Sequence, residues 1–194
     1  KYYHLSQSNY SSLFLKKNKM KYFYIGDYIN QNFTNKVDIK NKENIIVYNS
    51  QKGINITNKI INYNKNIEFI GLKNLTHQEV QDYLNIAKIY IDFGMHPGRD
   101  RIPREAILSN CIVIVGKRGS AENDIDIPIN NVFKLDHKSK KFNSEFNELV
   151  LNIFNDFNFY FEKFKYYKNI VENDKINFRN NINKFIQIIN NGKL

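Results

Sequence analysis

The chain has 194 residues, 42% of them hydrophobic, 14% aromatic and 25% charged, with a formal net charge of +10. That is enough for one domain, or one and a piece, with a sizeable core, and it is too apolar for a disordered chain. No run of about 18 apolar residues and no signal peptide stands out, so neither a membrane span nor export is expected. The lone cysteine, Cys111, fits a reducing cytoplasm. A start at Lys1 rather than Met suggests a piece excised from a longer protein.

In chain order, residues 2–7, 8–18 and 22–29 read as strand, helix and strand. A polar stretch over 30–44 follows, of which 37–44 is taken as a linker. Residues 45–48 form a short apolar run and a predicted strand, and 50–53 a loop. Residues 54–63 have helical periodicity, and 67–70 read as the next strand. Thr76 and Glu79 make a capping box for a helix running to about Ala87. Residues 89–93 read as a strand, and Pro103 suits the first turn of a short helix that ends near Asn110. Residues 111–115 and 131–136 complete the set of strands. Two amphipathic helices are expected over 142–191: one carries Phe146, Val150, Ile153, Phe157, Tyr160, Phe164 and Tyr167, the other Phe178, Ile182, Phe185 and Ile189. Their stripes suit packing; for the first, docking on a membrane surface is the alternative.

Strands alternating with helices, several of them continuously apolar, predict an α/β fold: a Rossmann-like parallel sheet with flanking helices over 45–136. Ligands of such sheets bind beyond the carboxyl ends of the strands.

Composition narrows the site further. The chain holds 32 Asn, 28 Ile and 24 Lys against 5 Arg and 3 Ala, the mark of AT-rich codon drift. Lysines scattered in this way do not read as a nucleic-acid surface. Four of the five arginines (Arg99, Arg101, Arg104 and Arg118) fall between Gly94 and Ser120, together with four of the eight glycines and two of the three prolines. Arginine offers a planar fork of donors to phosphate or carboxylate, and glycine permits close backbone approach. The loop from Gly94 to Arg101 runs into a helix and suits an anion, with Gly98, Arg99, Arg101 and Arg104 as candidates. Arg118, Gly119, Ser120 and Ala121 form a second small-residue nest, and Glu105 is placed to accept two ribose hydroxyls. Neither a P-loop nor the dinucleotide glycine fingerprint occurs.

Blander readings stand beside these. Asp100 and Arg104 are spaced for a surface ion pair or a cap, His96 fills a turn, and Arg118 is solvated. On the same terms Ser120 is an N-cap, Asp92 orients its loop, and Glu122, Asp124 and Asp126 are exposed. Cys111 is core, and His4, His77 and His137 lack metal-ligand spacing.

The segments "KENIIVYNSQKG" and "AKIYIDFGMHPGRDRIPREAILSNCIVIVGKRGSAEN" resemble the donor-binding half of bacterial GT-B glycosyltransferases that build surface polysaccharides such as lipopolysaccharide O-antigen or capsule. "YYHLSQSNYSSLFLKKN" and "YFYIGDYIN" resemble the end of the N-terminal half, which makes 1–36 a remnant of that domain. The resemblance implies transfer of a sugar from a nucleotide-sugar donor to a glycan or lipid-linked glycan acceptor. It also implies no metal. From composition, no nucleic-acid partner and a cytoplasmic location are expected, with at most an auxiliary peripheral contact to an anionic membrane through the net charge. Glu105 then takes the ribose, and Gly119, Ser120 and Ala121 lie near the diphosphate. Arg99, Arg101 and Arg104 stabilise the leaving group. The family pattern has a second glutamate eight residues before the first; here Pro97 stands there, with His96 and Asp100 as substitutes. The alternatives are a basic interaction module for anionic lipid or nucleic acid and a GT-B-like nucleotide-sugar epimerase. Convergence of Arg99, Arg101, Arg104, Lys117 and Arg118 on a cleft with Glu105 would favour the donor site. Spread across a face with Lys138, Lys140 and Lys141 would favour the module.

Overall fold

A computed structural model describes residues 2–29 and 38–191. The end of the predicted 1–36 unit and the first residue of the predicted linker lie outside the described residues. Five parallel strands form the main sheet: β3 (Glu43–Asn49), β4 (Glu68–Leu72), β5 (Ala87–Asp92), β6 (Ile112–Gly116) and β7 (Lys134–Leu135), in the order β4-β3-β5-β6-β7. A separate parallel pair, β1 (His4–Ser6) and β2 (Tyr22–Tyr24), flanks α1 (Asn9–Lys17) in sequence. The helices α2 (Ile54–Tyr63), α3 (His77–Ile86) and α4 (Arg101–Leu108) connect the main strands.

The central strands are buried on both faces, as continuous apolar runs in a parallel sheet require. Ile89, Tyr90 and Ile91 of β5 and Ile112 to Val115 of β6 are fully buried. Each large side chain so placed contributes about 1.5–3 kcal/mol. Helix ends follow local chemistry. The Thr76–Glu79 capping box forms at the start of α3. At the end of α4, Asn110 adopts φ +62°, while Cys111 N donates to Ala106 O and Asn110 N to Ile107 O. This is a Schellman closure, and it explains the one asparagine in the arginine-rich window, because asparagine tolerates the left-handed region.

Three expectations change. The predicted strand at 131–136 is a 3₁₀ turn (Asn131–Phe133) followed by the two residues of β7. The β1 and β2 strands are three residues each, shorter than predicted. The two C-terminal helices are three: α5 (Phe142–Asn155), α6 (Phe157–Glu162) and α7 (Lys165–Asn190). The break falls at Asp156, whose φ of −138° leaves the helix while its carboxylate accepts from Phe159 N to start α6. The stripe nevertheless packs inward: Phe146, Val150, Ile153, Phe157, Phe164 and Tyr167 join the core. The stripe on α7 meets the N-terminal segment, with Phe178 tilted against Tyr28 and Phe185 against Phe23 at ring separations of 5.2 and 5.3 Å. Among the described residues no helix is long and apolar enough to cross a membrane.

Candidate donor site

From β3 the chain moves outward to β4, then crosses back to β5 on the other side. The crevice at such a reversal, beyond the carboxyl ends of the strands, is where open α/β sheets bind ligands. Here it holds a cavity of about 340 Å³, lined by Asn49 at the end of β3 and Lys52 after it, Leu72 at the end of β4, Asp92 at the end of β5, and Asp100 and Arg101 at the start of α4. The loop after β3 and the loop after β5 cross with almost no space between them. A Cβ on Gly53 (φ +67°) would overlap the Phe93 carbonyl and sit 2.5 Å from Gly94 N.

A chain of buried polar groups forms the floor. Asp92 is saturated: Oδ1 accepts from Gly94 N at 2.8 Å, and Oδ2 from Asn49 Nδ2 and Tyr90 Oη, both at 3.1 Å. It holds the loop, the role its place at a strand end suggests. His96, fully buried, sits between two carboxylates, with Nε2 3.7 Å from Asp92 Oδ1 and Nδ1 3.3 Å from Asp100 Oδ2. Neither contact has hydrogen-bond geometry. Lys52 Nζ reaches Asp100 Oδ2 at 2.7 Å. Burial pulls the His96 pKa down, but Asp100 and Asp92 together outweigh it and the net value is raised. Burial pushes Asp100 up, yet His96 and Lys52 hold it below the usual carboxylate range. Asp92, His96 and Asp100 bring ligand atoms within 4.8 Å of one another. A divalent ion there would have to displace Lys52 and compete with the N–H donors on Asp92.

The raised His96 pKa sets a pH dependence. Its contribution to stability is complete below the unfolded histidine value, about 6.5, and is lost as pH rises through the folded value. Urea midpoints of wild type minus His96→Gln are therefore expected to fall as pH rises above about 6.5. A pH-independent difference would refute the charged pairing.

The arginines divide among three places. Arg101 lies at the cleft and pairs with Glu105, which is 1% exposed beneath it. Arg99 makes a two-pronged pair with Asp174 of α7 at 2.8 and 2.9 Å. Arg104, 1% exposed, binds Asp27 Oδ2 at 2.8 Å and approaches Asp174 Oδ2 at 3.5 Å. Its fork also donates to Arg99 O, and its Nε to Asp100 O. The Asp100–Arg104 ion pair allowed by the spacing is therefore not made, because the guanidinium is drawn to carboxylates far away in sequence. Arg118 donates to Phe93 O at 3.0 Å and, with Lys117, Lys138, Glu122 and Asp136, lines a second cavity of about 400 Å³. The five cations neither converge on one cleft nor form one flat basic face.

Gly119 and Ser120 clamp the loops. Ser120 N donates to His96 O at 2.9 Å, and its hydroxyl bonds Gly98 O. Ser120 and Ala121 are fully buried. Gly98 faces Ser8 of the N-terminal segment. Glu122 and Asp124 are exposed as expected, but Asp126 is buried, accepting from Asn9 N and Tyr10 N at the start of α1 at 2.7 and 2.8 Å. Residue reasoning missed Lys52 and Asn49. The available signal was a Lys-Gly pair leaving a predicted strand, but lysine is the residue type that composition drift makes uninformative.

No protein-family model and no curated protein sequence matches the chain. Solved structures do. HepE of Anabaena, in complex with UDP-glucose, superposes with a TM-score of 0.66 at 10% identity, over 94% of this chain and 63% of that protein. A variant of TarM from S. aureus, bound to fondaparinux, α-GlcNAc-glycerol and UDP, gives 0.69 at 12% identity over 96% and 43%. The pneumococcal O-GlcNAc transferase GtfA, with UDP and GlcNAc, gives 0.61 at 14% identity over 96% and 45%. The fold matches the Rossmann-like domain of GT-B glycosyltransferases. The chain spans 43–63% of the length of these GT-B proteins.

Proposed function

We propose that the chain is the donor-binding part of a glycosyltransferase that moves a sugar from a nucleotide-sugar to a glycan acceptor. The observation that carries this is the crevice at the strand-order reversal, where Lys52, the start of α4 and Arg101 line one cavity, and Arg101 pairs with the buried Glu105. UDP or a UDP-sugar accompanies each structural relative. On this reading Lys52, Arg101 and the helix N-terminus face the diphosphate, and Glu105 takes the ribose as Arg101 turns from it to the phosphates. His96 and Asp100 set the shape and charge of the loop under the transferred sugar. Gly98, Gly119, Ser120 and Ala121 supply backbone and loop geometry, while Arg99, Arg104 and Arg118 hold the wall.

Protein cations rather than a metal neutralise the leaving diphosphate, since Lys52 already occupies the carboxylate a divalent ion would need. The acceptor is a growing, lipid-linked surface glycan such as O-antigen or capsule, reached from the cytoplasmic face of the membrane. The sequence resemblance supports that assignment.

The test is a thermal-shift panel of UDP, GDP, CDP, CMP and their sugars at saturating concentration. At least one should raise Tm by roughly 5–10 °C. Lys52→Ala and Glu105→Ala should each remove at least half of that rise, and the isolated chain should turn over little donor. No shift with any nucleotide overturns the reading. Equal shifts in wild type and Glu105→Ala remove Glu105 as the ribose ligand.

A further inference from the structure

A further cavity of about 510 Å³ lies between the N-terminal segment, α7 and the 125–126 turn, within the size range of small-molecule sites. It shares a wall with the donor cleft. Arg99 lines this cavity, and the next two residues of the same loop, Asp100 and Arg101, line the other. A ligand here therefore lies one loop away from the nucleotide crevice.

The lining suits a saccharide. Tyr22 and Phe178 offer aromatic faces, whose negative quadrupole attracts the weakly positive C–H face of a pyranose. Asn9, Asn177 and Asn181 pair donor and acceptor atoms in a form that matches neighbouring hydroxyls. Asp27 also lines the cavity, and its Oδ1 has no hydrogen-bond partner. The charges are largely compensated within the wall. Arg99 offsets Asp174, Arg104 offsets Asp27, and the N–H groups at the start of α1 hold Asp126. A polar hollow whose ions are already paired favours a neutral polyhydroxyl ligand over an anion.

We propose that this cavity binds a neutral saccharide unit of the acceptor, an inference that rests on the donor-site reading for its role but not for its chemistry. The test is saturation-transfer NMR with methyl α-glucoside, maltotriose, tri-N-acetylchitotriose and glucuronate as probes, with the UDP thermal shift measured in parallel. At least one neutral sugar should bind the wild type. Binding should weaken tenfold or more in Tyr22→Ala/Asn177→Ala, and also in Ile125→Trp, which plugs the rim from a position 69% exposed and so spares the fold. The UDP shift should be unchanged in both variants. The proposal is overturned if no neutral sugar binds, if binding is equal in the variants, or if glucuronate binds more tightly than every neutral probe. If sugar binding is lost in the variants while UDP gives no shift even in wild type, the saccharide site stands and the donor reading falls.

Discussion

Replacing Gly119 with alanine is expected to destabilise the protein by about 3 kcal/mol and to abolish nucleotide-dependent stabilisation. Gly119 has φ +61° and ψ −134°, a backbone region that residues with side chains avoid. A Cβ there would overlap the His96 carbonyl oxygen and lie 2.9 Å from its carbon. Both atoms are backbone, so no side chain can swing aside, and the overlap adds to the conformational cost. Relief requires the loops after β5 and β6 to part, losing the Ser120 N to His96 O bond and the burial of His96 between Asp92 and Asp100. Urea denaturation should show a lower midpoint at similar slope. Gly98→Ala is the control, because its Cβ would meet only Ser8 Oγ at 3.7 Å and Ser8 Cβ at 4.0 Å, ordinary contact distances. Gly98→Ala should change stability by less than about 1 kcal/mol. Equal behaviour of the two variants would show that the crossing at Gly119 is not as tight as described.

Arg104→Ala should cost about 3–5 kcal/mol, the range for removing one partner from a buried ion pair. The loss is not simply that of an attraction. Arg104 touches Asp27 of the N-terminal segment, Asp174 of α7 and the carbonyls of Arg99 and Asp100 at once. Without it, among the described residues, Asp27 keeps no ion-pair partner and Asp174, 4% exposed, keeps only Arg99. The N-terminal segment should then loosen from the sheet domain, read as faster amide exchange in β2. Arg104→Lys should recover less than half of the loss, because a single ammonium cannot span carboxylates and carbonyls in different directions. A double-mutant cycle with Asp174→Asn should be non-additive by 1 kcal/mol or more. Additivity would mean that the two side chains act independently.

These two residues also show how far the sequence reached. The arginine-rich window was legible as the place where composition stops drifting, and it does lie at the carboxyl ends of β5 and β6. What each arginine does was not legible. Arg99, Arg101 and Arg104 are close neighbours in sequence, yet Arg101 faces the cleft while the other two turn to α7 and the N-terminal segment. The deciding partners, Asp174 and Asp27, are more than 70 residues away. A guanidinium near the surface goes to whichever carboxylate the fold brings within reach, and no local pattern encodes that. Lys52 was hidden for the opposite reason: its local context was visible, but its residue type carried no information among 24 lysines.

The sequence by itself determined the class of fold and marked the arginine-rich window that lies at the carboxyl ends of β5 and β6. Strand and helix periods are local, apolar runs in β5 and β6 demand burial on both faces, and caps such as Thr76–Glu79 form from neighbours alone. The net charge of +10, the first feature to suggest a partner, says little beyond codon drift once the cations are located. Only the tertiary structure decided which cations are free to meet a ligand and which are spent on ion pairs. It also decided that Asp126 is buried at the start of α1 and that a second cavity lies one loop away from the cleft at the strand-order reversal. Those outcomes depend on contacts between distant segments. The free energy of a charge is set by what surrounds it after folding, not by its neighbours along the chain.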